Sequence, residues 1–217
     1  MNRIGNQELW TRLKRIDRSG MLPSERIGLI IDILERGCQH PIWRLLRRIC
    51  WNREPAILAA WIDRMLQSDF RDVRVTALYF GLCQPKEGGA RNGKARWDLE
   101  AGATCRPVGQ NIAWLYQREN IIFALDNEYM HSPALSQLFD IISRPDRPAG
   151  DPGSVDIGYG IGLAYICAVI PDTLRQIGPR LFFNNSEKIA VAGGFQEGDI
   201  AFLGFAAPNN FDFDLLI

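Results

Sequence analysis

Through much of the first 84 residues, apolar side chains recur every three or four positions, a spacing that predicts helices. NQELWTRLKRIDRSG, residues 6–20, places Leu9, Leu13 and Ile16 on one stripe and stops at Gly20. PSERIGLIIDILERG, residues 23–37, opens with Pro23 in a first-turn position and closes on Gly37. PIWRLLRRICW puts Ile42, Leu45, Leu46 and Ile49 on one stripe, and EPAILAAWIDRMLQS again carries a proline near its start. FRDVRVTALYFGLCQ reads as a fifth helix, stopped by Pro85.

Helices two to five are thus expected as two successive antiparallel pairs. Within the fifth, DVRVTAL carries Asp72, Val73, Arg74 and Ala77, and it resembles the second helix of a HEAT repeat. The resemblance implies a HEAT-like helical layer over residues 1–84. It does not imply a solenoid, because stacked repeats need three or more units to be stable.

The pattern then breaks. Residues 85–110, PKEGGARNGKARWDLEAGATCRPVGQ, mix glycine, proline and charge, which predicts a long loop. Arg96 and Trp97 within it are candidate anchors for a partner, with Trp97 folded back onto the core as the alternative. NIAWLY and NIIFALD read as two strands of a hairpin, helix staying open for either across residues 111–126. Ser132 and Pro133 supply an N-cap and a first-turn proline for a helix through ALSQLFDIIS. After the proline-rich stretch 144–154, GIGLAYICAVI lacks a polar face and predicts a buried helix, and Pro171 is expected to start another short one. The whole reads as one compact α+β domain: a helical layer over 1–84, a long loop over 85–110 and a mixed part over 111–217.

Composition adds limits. The chain has 217 residues, 47% hydrophobic and 23% charged, enough for a core without disulfides or metal. Cys38, Cys50, Cys83, Cys105 and Cys167 are odd in number with no C-x-x-C pair, so reduced thiols are expected. MNRIGNQELW has no apolar leader, and the near-apolar run at 157–170 is short for a bilayer. A cytoplasmic protein without a membrane partner is the expectation. Net charge is zero but uneven: residues 1–100 hold 18 Lys+Arg against 12 Asp+Glu, and residues 101–217 hold 7 against 13. Such a bipolar chain can offer a charged face to a partner.

KIAVAGGFQEGDIAFLGF, residues 188–205, is the one glycine-rich patch with a cofactor-like look. Gly193 and Gly198 have P-loop spacing, but Asp199 and Ile200 stand where lysine and a hydroxyl must be. A dinucleotide fingerprint would open a helix, whereas IAFLGF reads as a strand. The patch therefore predicts a hairpin, with Glu197 and Asp199 at its tip and no cofactor. His40 and His131 belong to no zinc spacing, so no metal is expected, and no catalytic motif emerges. Asp212 and Asp214 would share one face of a C-terminal strand.

VAGGFQEGDIAFLGF, following an apolar helix, resembles the C-terminal hairpin of some immunity proteins of bacterial toxin systems. The resemblance spans about 15 residues and consists mostly of turn chemistry. It implies a non-enzymatic protein that binds and blocks a cognate toxin or effector domain, the acidic C-terminal half supplying the binding face. Glu197, Asp199, Asp212 and Asp214 are then the candidates, with Arg96 and Trp97. The second reading is a nucleic-acid binder. Arg44, Arg47, Arg48 and Trp51 fall at i, i+3, i+4 and i+7, so one helix face would grip phosphate and stack a base.

Overall fold

The computed structural model describes residues 9, 11–13, 20–37, 40–68, 70–72, 74–83, 97–105, 121–123, 130–144, 153–182, 187–195, 200–208 and 210–212. Helix α1 runs Pro23–Gly37, as its proline and glycine punctuation predicts. Glu25 in its first turn reaches back 2.7 Å to the Leu22 amide, satisfying a donor that the helix leaves open. Helix α2 is a single turn, Ile42–Leu46, followed by a 3₁₀ turn at Trp51–Arg53 and by α3, Glu54–Gln67.

The expected fifth helix is a strand. Strand β1, Ala77–Cys83, sits between β2 (Asp98–Thr104) and β4 (Ile189–Phe195), and every β1 side chain is buried. A strand covered on both faces shows no polar alternation, so ALYFGLC is indistinguishable by periodicity from a buried helix. The second antiparallel helix pair therefore does not form, and the described residues 72 and 74–77 are not helical. The predicted loop 85–110 is also corrected, since its residues 98–104 are β2. DLEAGAT does alternate polar and apolar side chains, but its glycine, alanines and carboxylates are poor strand formers.

Among the described residues the sheet has six strands in the order β3-β2-β1-β4-β5-β6, with β3 at Ile122–Phe123, β5 at Ile200–Ala207 and β6 at Asn210–Asp212. Only β1 and β4 are parallel, Ala77 facing Ala190, and the remaining neighbours are antiparallel. The α+β expectation holds. The glycine-rich patch is a hairpin of β4 and β5, as its residues predict.

Leu78, Phe80, Leu82, Leu99, Ala101, Val191 and Leu203 form one sheet face and pack into the main core with the helices. Helix α4, Pro133–Ile142, starts as predicted, with Ser132 Oγ accepting from the Leu135 amide at 2.9 Å. Helix α5 spans Gly153–Ile177 without a break at Pro171, against the expected restart. Pro171 cannot donate to the preceding turn and its ring crowds it. Buried Arg26 of α1 braces this turn: one nitrogen donates 3.0 Å to the Ala168 carbonyl and the other 3.0 Å to Asp172. Residues 157–182 are long and apolar enough to cross a membrane, yet 89% of that segment's most apolar window is buried inside the fold.

Candidate functional site

Four arginine-helix residues were expected on one face, and the short α2 scatters them. Its helical backbone ends at Leu46, so Arg47 and Arg48 lie in the following turn and Trp51 in the 3₁₀ turn. Trp51 is 1% exposed and packs against Tyr165, so it presents no ring for a base. Arg47 is shared between two carboxylates of α1, 2.7 Å from Asp32 and 2.6 Å from Glu35. Its pKa is raised above the arginine value, first by the hydrogen bond to Glu35. Arg44 and Arg48 remain exposed on the surface.

Arg44 instead helps to line an open groove of about 790 Å³ between the end of α1 and the start of α2, with Asp32, Glu35, Arg36, His40 and Pro41. His40 Nδ1 accepts from the Ile42 amide at 3.2 Å. In the neutral ring the proton is thereby placed on Nε2. On the outer side of α1, Leu29 is 43% exposed, three residues before Asp32 and seven before Arg36. That spacing puts all three on one helix face. Leu22, just before the helix, is 56% exposed, and these two are the large exposed hydrophobic residues among the described ones.

The predicted partner anchors fare differently. Trp97 is buried, edge-on to Phe139 and Phe195, so it is part of the core and not an exposed anchor. Asp212 lies on strand β6 opposite Phe205. Arg96, Glu197, Asp199 and Asp214 lie outside the described residues.

Two polar clusters escaped the sequence reading because their members are far apart in the chain. In the first, buried Glu54 accepts from Ser132 Oγ at 2.5 Å, from the Tyr165 hydroxyl at 2.8 Å and from the Ala134 amide at 3.2 Å. The carboxylate sits at the starts of both α3 and α4, where helix dipoles favour negative charge. Tyr165 has its pKa raised well above 10, first by burial and then by Glu54. In the second cluster, His131 Nδ1 lies 2.6 Å from the buried Asp98 carboxylate, with the imidazole half exposed. Such a contact fixes the orientation of the ring. Cys83 is adjacent, 3.5 Å from the Asp98 carbonyl, and its pKa is pushed up to about 12 by burial, then by Glu100 and Asp98. It is a thiol at neutral pH, the opposite of what a nucleophilic cysteine requires. Among the described residues no three His, Cys, Asp or Glu side chains are grouped to hold a metal ion.

No protein-family model, curated protein or solved structure matches the chain.

Proposed function

We propose that the protein is a non-enzymatic partner-binding protein that engages another protein through the α1–α2 surface. The observation that carries this reading is the open, charge-lined groove with exposed Leu29 one turn before its first lining residue, Asp32. Surface leucines flanked by arginine give a contact patch an apolar centre and a polar rim, which suits protein recognition. In its sharpest form the partner is a cognate toxin or effector domain that binding neutralises. The β4–β5 hairpin following an apolar helix supports that form, since the resemblance to immunity proteins rests on that order.

Mixed charge favours a protein over a nucleic acid here. Asp32 and Glu35 lie beside Arg44, and Trp51 offers no stacking face. The test is capture of partners from native lysate on the immobilised protein, alongside Leu29→Asp/Arg44→Glu. One stoichiometric protein held by the wild type and lost with the double variant supports the reading. A partner retained equally by both, or none at all, overturns it.

A further inference from the structure

We infer that the α1–α2 groove takes an acidic segment of the partner, its carboxylates seated between Arg36 and Arg44. The inference rests on the partner-binding reading and adds the sign and chemistry of what binds.

Groups lining the groove divide into acceptors already shared with Arg47 and donors with most of their N–H groups open. The acceptors are Asp32 and Glu35, and Arg47 bonds both through the same nitrogen, at 2.7 and 2.6 Å. A cationic ligand would have to compete with that arginine for them. The donors are Arg36, Arg44 and His40. The Arg44 guanidinium has no hydrogen bond or ion pair among the described residues, its backbone amide alone donating to the Pro41 carbonyl at 3.3 Å. Among the described residues the Arg36 side chain spends only its Nε, on the backbone carbonyl of Asp32 at 3.3 Å. His40 has its acceptor nitrogen occupied by the Ile42 amide, which leaves Nε2–H as a donor in the neutral ring. What remains for a ligand is two guanidinium forks and an imidazole N–H. Two forks of that shape match carboxylates in bidentate geometry.

A polyanion such as nucleic acid presents the same sign but fits less well. Its phosphates follow one another without interruption, and Asp32 and Glu35, both partly exposed, stand in their path. An acidic peptide places carboxylates singly and can set apolar side chains on Leu29, two turns before Arg36.

The test uses a fluorescein-labelled decapeptide in which glutamates alternate with leucine and serine, and anisotropy at moderate salt, with Arg36→Glu/Arg44→Glu as the groove variant. Arg64→Glu/Arg74→Glu reverses two other exposed arginines and is the control. The expected result is a loss of about tenfold or more in affinity for the groove variant, little change for the control, and no competition by an unlabelled oligothymidylate. Equal losses in both variants, oligothymidylate binding tighter than the peptide, or no peptide binding would overturn the inference. Partner captured without peptide binding sinks the acidic assignment and leaves the partner-binding reading standing. Peptide bound at the groove with no partner captured does the reverse.

Discussion

Gly193 of β4 lies so close under Ile166 of α5 that a Cβ on Gly193 would stand 2.7 Å from the Ile166 Cγ2 methyl and 3.0 Å from the Phe80 carbonyl oxygen. The first contact is a core side chain and the second is backbone, so neither yields cheaply. The glycine in VAGGF is thus a packing requirement that lets a helix settle on a sheet. Gly193→Ala is expected to cost about 1–3 kcal/mol through overpacking. Gly28 of α1 makes the opposite case, with nothing within 4 Å of a Cβ there. Gly28→Ala should gain about 0.5–1 kcal/mol by removing backbone freedom from a helix interior. Urea unfolding of both variants checks the pair, and shifts of the same sign would refute the packing account.

Glu54 is held by hydrogen-bond donors, so its removal should be felt at each of them. Glu54→Leu strands the Ser132 hydroxyl, the Tyr165 hydroxyl and the Ala134 amide, at about 1–3 kcal/mol for each buried donor left unsatisfied. A total of about 3 kcal/mol or more is expected. Glu54→Gln retains an acceptor oxygen and should cost less. In a double-mutant cycle with Tyr165→Phe, the double variant should be more stable than the sum of the singles predicts. Strict additivity would show that the hydroxyl and the carboxylate do not interact.

Arg26 ties α1 to the proline turn of α5. Arg26→Met should cost about 3 kcal/mol or more, because the Ala168 carbonyl and Asp172 lose a buried charged partner. Asp172 keeps its second ion pair, with Arg175 at 2.9 Å, which softens the loss. Arg26→Lys keeps the charge without the two-pronged reach and should fall between wild type and Arg26→Met. Denaturant midpoints for the two variants decide it, and equal costs would mean that geometry does not matter.

Cys83 should resist alkylation when the protein is folded. Cys50 and Cys105 are exposed, whereas Cys83 is buried with its pKa near 12. Iodoacetamide at pH 8 is expected to label Cys50 and Cys105 and to leave Cys83 unmodified, as read by peptide mass mapping. Because the folded-state pKa exceeds the ordinary value of 9.0, the unfolded chain loses this proton first. The stability linked to Cys83 is complete below pH 9 and is lost as pH rises from there towards 12. A Cys83→Ala variant should therefore show a shallower alkaline decline. An identical decline would assign the alkaline sensitivity elsewhere.

Local punctuation was legible in the sequence; long-range pairing was not. Pro23 and Gly37 bound α1, Ser132 caps α4, and the turn residues between two apolar runs predict the β4–β5 hairpin. These are nearest-neighbour effects, written in consecutive residues. β1 does not read as a strand because both its faces are packed, Leu78, Phe80 and Leu82 in the main core and Ala77 and Tyr79 in smaller clusters, which erases the alternation that marks a strand. The groove was half legible. Arg44 was singled out, but the cancellation of Arg47 by Asp32 and Glu35 depends on how α1 meets α2. Asp98 and His131 are 33 positions apart, and Glu54 and Tyr165 are 111 apart. No spacing rule reaches that far.

The parallel pairing of β1 with β4 also sets a schedule for synthesis. Ala77 must wait for Ala190, its partner 113 positions later. At about 5–20 residues per second, a ribosome takes roughly 6–23 seconds to make the intervening chain. Through that interval a central strand of the future sheet has one backbone edge open, on a segment rich in leucine, tyrosine and phenylalanine. Whatever guards the nascent chain in the cell has to shield ALYFGLC until its last neighbour emerges.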